Sequence, residues 1–362
     1  MKRAYKIFEM IMTFALATAL CVGCGAKSGE SAEQNMSDGS DKVYTVKLAN
    51  VFADDNPFAQ GQVWLAEELE KRSGGRFDCT VFGNGQLASG DKEGTEICAN
   101  GTVQISYCTL FTLASMGGDA MTDEQILEMG YLFEDTEELY DFMDNTEFGK
   151  GIMESASNAL KVGVVPGGVL QGREAILVKD IVTVPADMIG KKIRTHGGLN
   201  CNNLVAALGA SPLAMSFGEV YTGLQQGTVD GAYSNVQNFW YQKFYEVADS
   251  VVCLDLKTNL TAILYNIEFV ESLPDDLREI WDSTMLEFNE KLRSLVAESD
   301  DYCIEQLTAN CESVIVPEGE SLDEWAAPCK SAWADAIKIM GYDRFEQAMN
   351  EAGKEIPTQY RQ

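Results

Sequence analysis

Three short clusters along the chain hold side chains that could do chemistry. Arg194 and His196 form the first, Ser216 and Phe217 the second, and Ser234 and Asn235 the third, with Tyr233 and Asn238 beside it. Together they offer one fixed cation, one aromatic ring and several neutral hydrogen-bonding groups. A guanidinium is a planar fork that meets a carboxylate through two parallel hydrogen bonds. Phe217 would pack on the carbon skeleton of such a ligand, and Asn235 and Ser234 would donate to it. His196 is the only histidine and sits close enough to Arg194 to touch the same molecule. A nucleophile needs a base in hydrogen-bond reach, and no such pair is present in these clusters. The set reads as a pocket for a small carboxylate, not a reaction centre.

Each cluster follows an apolar run that reads as a strand. Lys191 to Thr195 is one, Pro212 to Met215 the next, and Val229 to Tyr233 the third. Between them Leu199 to Leu208 reads as a helix stopped by Gly209. Ser216 with Glu219 reads as a capping box opening a helix that Gly227 ends. Another helix follows the third strand through about Tyr245. A β-α-β-α-β-α unit predicts parallel strands, and in such sheets ligands bind in the crevice past the strand C-termini. An earlier unit of the same kind runs from Tyr44–Leu48 through a helix opened by Asn56-Pro57, a strand at Phe77–Phe82, a helix at Asp91–Ala99 and a strand at Val103–Tyr107. Asn50 and Phe52, past its first strand, and Cys108 and Thr109, past its third, should face the same crevice.

The residues of the later unit also carry a resemblance. Gly190-Lys191-Lys192-Ile193-Arg194, Gly209-Ala210-Ser211-Pro212, the run Met215 to Gly231 and Lys243-Phe244-Tyr245-Glu246-Val247 follow one another in an order and spacing that resemble the DctP-type solute-binding proteins of TRAP transporters. Weaker agreement extends from Val43 to about Ala336. The resemblance implies two α/β domains of periplasmic-binding-protein type, with a central ligand cleft and a long helix crossing both. It also implies that Arg194 binds the ligand carboxylate. Arg173 would be a second ligand contact or a support for the first, although Gly172 and Arg173 are adjacent here where the family has a residue between them. Gly130-Tyr131-Leu132-Phe133 stands where the family has a Pro-Phe-Leu-Phe segment.

The rest of the chain bounds the function. The 362 residues carry a formal net charge of −29, which argues against nucleic acid, a partner that requires basic patches. Residues 1–23 read as a signal peptide, with a basic start at Lys2-Arg3 and an apolar stretch from Ile7 to Val22. Leu20 to Cys24 resembles a lipobox, with Cys24 the lipidated residue, and 24–42 reads as a flexible tether. Domain I is expected at 43–168 plus about 255–290, and domain II at 169–254 plus about 291–362. From Asp275 to Asn310 there is no Gly and no Pro. A helix that long would measure roughly 50 Å and must cross both domains or kink.

Eight cysteines beyond the leader permit disulfides, but no C-x-x-C spacing is present and buried thiols fit equally well. Gly83-Asn84-Gly85-Gln86-Leu87-Ala88 matches a dinucleotide fingerprint, weakly, because its helix starts too late. Glu134, Asp135, Glu137 and Glu138 suit a helix start better than a metal. The expectation is therefore an exported, lipid-anchored, monomeric receptor, not an enzyme, with no cofactor and no metal. It would pass a small organic acid (a dicarboxylate, sugar acid, keto acid or aromatic acid) to the small and large membrane subunits of a TRAP permease. An ABC-type or sensor-associated binding lipoprotein is the alternative.

Overall fold

Alternation over Tyr44–Leu48 does produce a strand, β1 (Tyr44–Ala49), in the computed structural model, which describes residues 42–197 and 199–361. It is followed by α1 (Pro57–Arg72), β2 (Phe77–Phe82), α2 (Asp91–Ala99), β3 (Ile105–Thr109), α3 (Leu110–Gly117), α4 (Thr136–Asn145), α5 (Glu147–Leu160), β4 (Gly163–Val164) and β5 (Val169–Leu170). The chain then enters a second lobe: β6 (Glu174–Val178), β7 (Lys192–Thr195), α6 (Leu199–Ala207), β8 (Ser211–Ala214), α7 (Val220–Gln226), β9 (Gly231–Asn235), α8 (Val236–Tyr241) and β10 (Ser250–Cys253). It returns through β11 (Leu260–Tyr265), α9 (Ile267–Glu271), α10 (Asp275–Asn310), β12 (Ser313–Ile315), α11 (Glu320–Ser331), α12 (Trp333–Met340) and α13 (Tyr342–Glu351).

Each lobe is built on a six-stranded sheet. The first has the order β2-β1-β3-β11-β4, with β5 pairing β11; the second has β12-β10-β6-β9-β7-β8. The strands of the expected βαβ units are parallel: β1 lies parallel to β2 and β3, and β7 to β8 and β9. The strands that join the lobes run the other way, since β11 is antiparallel to β3, and β6 to β9 and β10. Helices cover both faces of each sheet and give each lobe two apolar layers.

Local chemistry sets the helix starts. Asn56 caps α1 by accepting from the Phe58 N–H at 2.9 Å, and Pro57 fills the first helical position. Asp135 caps α4 in the same way through the Glu138 N–H, so the acids of that segment do serve a helix start. Among the described residues no group of His, Cys, Asp and Glu is arranged to hold a metal. The loop at Gly83–Ala88 turns at Asn84 and Gly85, both at positive φ, well before α2 begins. It therefore aims no helix N-terminus at a phosphate. The expected capping box at Ser216 does not form. The Ser216 hydroxyl bonds the Glu219 carboxylate directly at 2.5 Å, and a 3₁₀ turn precedes α7. The helix expected through Tyr245 stops at Tyr241, because Lys243 takes a left-handed φ of 57°.

Helix α10 is unbroken over 36 residues, about 54 Å. Its buried stripe Leu277, Trp281, Met285, Phe288, Leu292 and Val296 lies in the first lobe, and Cys303 and Leu307 lie in the second. Spacing of three and four residues puts the stripe on one face. The crossing thus falls at 297–302, later than about 290. Residues after Trp333 depart further from expectation. Trp333, Ala336, Met340, Phe345 and Met349 pack into the first lobe's core with Met121, Phe148 and Ile152, so the C-terminal helices straddle both lobes instead of belonging to domain II. Residues 1–41, with the expected signal peptide, Cys24 and most of the tether, lie outside the described residues. All eight remaining cysteines are free, and six of them are buried.

Candidate ligand-binding site

The C-terminal ends of β1 and β3 in one lobe and of β7, β8 and β9 in the other face a common cavity of about 740 Å³. That volume lies in the range of small-molecule sites, about 300–1,000 Å³. Val51, Phe52 and Thr109 line it from the first lobe. Arg194, His196, Met215, Ser216, Phe217, Ser234 and Asn238 line it from the second. Gln171 and Asn259 line it from two of the connections between the lobes, just outside the strands β5 and β11.

Arg194 is the penultimate residue of β7 and is 4% exposed. Its Nε donates to the Met215 carbonyl at 3.0 Å, and its Nη1 reaches the Tyr233 carbonyl at 3.5 Å. The neighbouring strands β8 and β9 thereby fix the plane of the guanidinium. Phe217 lies over it, with 5.9 Å from Cζ to the ring centroid. No carboxylate among the described residues stands within ion-pair distance. Burial pushes the guanidinium down to about 10, and the fields of Cys201 and Asp91 offset this only in part. The charge is held in place, desolvated and left without a counter-ion.

Aromatic contacts close the cleft from both sides. Phe52 meets Phe217 at 6.1 Å, nearly edge to face, and Phe111 stacks on His196 at 3.3 Å. The Gly218 N–H donates to the Ser89 carbonyl, and the Gln242 amide donates to the Val51 carbonyl, both across the cleft. Neither ring nitrogen of His196 finds a hydrogen-bond partner among the described residues. Burial, and then the Arg194 charge, hold this imidazole well below its usual range, so it is neutral. Asn238 donates to the Ser234 hydroxyl at 3.0 Å, which orients both toward the cavity.

Five expected residues do not line the cavity. Asn235 caps α8, accepting from the Asn238 N–H at 2.8 Å, and donates to Gln171, so its amide is used structurally. Tyr233 turns its hydroxyl to Thr258, behind His196. Asn50 is tied to Gln62 and to the Phe52 N–H. Arg173 lies outside the cavity: its N–H donates to Asp300 on α10, and its guanidinium comes within 3.9 Å of Asp301. Cys108 is fully buried core.

Sequence reasoning missed Asp91, Phe111, Gln171 and Asn259. Asp91 opens α2, and its Oδ2 accepts from the Thr109 N–H at 2.9 Å and the Thr109 hydroxyl at 2.6 Å. Gln171 and Asn259 are bonded to each other, and the Asn259 Oδ1 is buried without a partner among the described residues. An acid at a helix start and polar residues in the connections between the lobes are too common to mark a site by themselves.

Bacterial extracellular solute-binding protein family 7, DctP, matches residues 48–339. The chain belongs to this family. That membership bears out the resemblance to TRAP-type solute-binding proteins read from Gly190–Val247. Among family relatives, the C4-dicarboxylate-binding periplasmic protein DctP of Rhodobacter capsulatus is 27% identical over 296 residues, which is 81% of this chain and 87% of that one. Solved structures agree on the fold. A TRAP periplasmic solute-binding protein from Sulfurospirillum deleyianum with bound succinate superposes with a TM-score of 0.78 at 22% identity, covering 85% of this chain and 99% of that one. The sugar acid binding protein DctPAm from Advenella mimigardefordensis, in complex with galactonate, gives 0.77 at 20% identity, covering 86% and 98%.

Proposed function

We propose that this chain is the extracytoplasmic receptor of a TRAP-type secondary transporter and captures a small organic acid by its carboxylate. The observation that carries the reading is Arg194: a buried guanidinium, fixed by two main-chain oxygens, that borders the cavity with no ion-paired acid among the described residues. A buried charge without a partner is costly, and a ligand carboxylate would supply the missing counter-ion. The Rhodobacter relative named for C4-dicarboxylates and the family structures holding succinate and galactonate support an acid as cargo.

The two lobes would be the moving domains, turning about the connections at 171–173, 254–259 and 297–302. A ligand touching both lobes shifts the population toward the closed form, and excluding water strengthens the pairing with Arg194. The receptor binds and releases its cargo without turnover. No helix among the described residues is long and apolar enough to cross a membrane. Translocation would fall to the small and large membrane subunits, driven by an ion gradient, while Cys24 would anchor the receptor by lipid as a monomer at the outer face of the cytoplasmic membrane.

A thermal-shift screen of organic acids, run beside Arg194→Ala, tests the reading. An acid at about 100 times its Kd adds roughly 2.7 kcal/mol. One acid class should raise the melting temperature of the native protein and leave the variant unmoved. A response to neutral sugars alone would refute the use of Arg194 and favour an ABC-type or sensor-associated receptor.

A further inference from the structure

The cavity holds a second ionic feature, half-buried, of opposite sign to Arg194 and on the other lobe. Asp91 lines it from the start of α2, with Oδ2 gripped by the Thr109 N–H and hydroxyl. Both of the hydrogen bonds that its side chain accepts from described residues fall on Oδ2, and the residue lines the cavity. No ion pair joins Asp91 to Arg194, so each charged group keeps a free face. The other charged groups at the lining are exposed at the rim: Lys92 against Glu93, Glu96 and Glu219. Arg194 is thus the only buried cation among the described lining residues.

We infer that the cargo is a monocarboxylate whose far end carries a hydrogen-donating group, a hydroxyl or an ammonium, with the carboxylate on Arg194 and the donor on Asp91. The inference rests on the carboxylate reading and adds the second half of the ligand. Burial pushes the Asp91 carboxyl up, while the Thr109 bonds and the Arg194 charge pull it down; in its ionised form it only accepts hydrogen bonds, so Asp91 Oδ1 then requires a donor. A dicarboxylate would bring a second anion to a cavity with one buried cation and would set it against Asp91. Two carboxylates sharing a site cannot both stay ionised without cost. This separates the chain from its relatives named for C4-dicarboxylates. Because Asp91 and Arg194 lie on different lobes, a ligand bridging them would also tie the lobes together.

The test compares acids of one carbon skeleton by titration calorimetry: succinate, butyrate, 4-hydroxybutyrate and 4-aminobutyrate, and glucarate against gluconate. In each set that binds, the donor-bearing monoacid should bind at least tenfold tighter than the diacid. Butyrate should fall below its hydroxy and amino analogues. The hydroxy and amino arms identify which donor Asp91 takes. Asp91→Asn keeps an oxygen for the Thr109 N–H, and it should narrow the monoacid preference by tenfold or more. The wild-type comparison stands even if that variant does not fold. A diacid that binds tighter than its donor-bearing partner overturns the inference, and so does an unchanged preference in a folded Asp91→Asn variant. Arg194→Ala, run in parallel, separates the two readings. If it retains binding, or if no acid binds the native protein, the carboxylate reading itself has failed.

Discussion

Replacing Arg194 by methionine should make the empty receptor more stable and abolish its response to acid. The guanidinium stands at about 10 in the folded protein against an ordinary 12.5, chiefly because it is buried. At about 1.4 kcal/mol per pH unit, the charge is about 3 kcal/mol less favourable folded than unfolded. Its bonds to the Met215 and Tyr233 carbonyls return about 1 kcal/mol each. The net gain on removing it is about 1 kcal/mol, or roughly 2 °C for a chain of this size. For a base with a lowered folded value, this destabilisation is constant wherever the group is charged in both states. It is relieved only as pH rises through about 10. Binding moves the other way. Two charge-assisted hydrogen bonds at about 1.5–3 kcal/mol each predict a loss of roughly 10² to 10⁴ in affinity. Differential scanning calorimetry with and without acid measures both effects in one series. A variant that melts several degrees lower yet keeps the ligand-induced shift would refute the reasoning, because Arg194 would then be a structural cation.

Other expectations follow from the segments that join the lobes. Burial raises the Asp300 carboxyl to about 6, against the bonds it accepts from the Arg173 N–H and Gln237. A carboxylate raised on folding costs stability as pH climbs from about 4 through about 6. Asp300→Asn, which keeps the acceptor oxygen, should therefore gain up to about 3 kcal/mol over the native protein above pH 7 and little at pH 4, by urea titration at both pH values. Gly167 has a φ of +92°, and a Cβ there would stand 2.2 Å from the Asp144 carboxylate that pairs Arg293. Gly167→Ala should cost at least about 1–3 kcal/mol, read as a lower urea midpoint. Phe217→Ala removes the edge contact with Phe52 across the cleft and should weaken ligand binding about tenfold, measured by calorimetry. The thiols of Cys98, Cys253 and Cys329 are buried and pushed up to about 12. A disulfide exchange reagent should reach the half-buried Cys79 and Cys311 first and the rest only on unfolding.

The legible parts of the sequence were those governed by local rules. The parallel units β1-α1-β2 and β7-α6-β8 follow from apolar runs punctuated by Gly209, Gly227 and Asn56-Pro57, and α10 from the absence of Gly and Pro over 36 residues. Long-range packing escaped. The antiparallel strands β6 and β11 have no local signal for their direction. Helices α3 and α5 were not anticipated between Tyr107 and Val162. The switch of the C-terminal helices back to the first lobe depends on where Trp333 and Phe345 find apolar partners. Asn235 shows the same limit at the site. It stands beside Ser234 past a strand, yet its side chain is consumed by the first turn of α8.

The uneven legibility of the site has a physical origin in how the two lobes divide the work. In the proposed reading the second lobe would supply the anchor. Arg194, Met215, Ser216, Phe217, Ser234 and Asn238 lie within 45 residues on consecutive strands, and one continuous motif fixes their geometry. The first lobe would supply the discriminating surface from Phe52, Asp91, Thr109 and Phe111, which line the cavity from separate places along the chain. The Asp91–Thr109 pair is joined only through the close contact of α2 with β3, a tertiary fact. A receptor built this way can keep its carboxylate anchor while changing cargo through single residues on the other lobe. On that reading the anchor would mark the family, and the group facing it would select the acid.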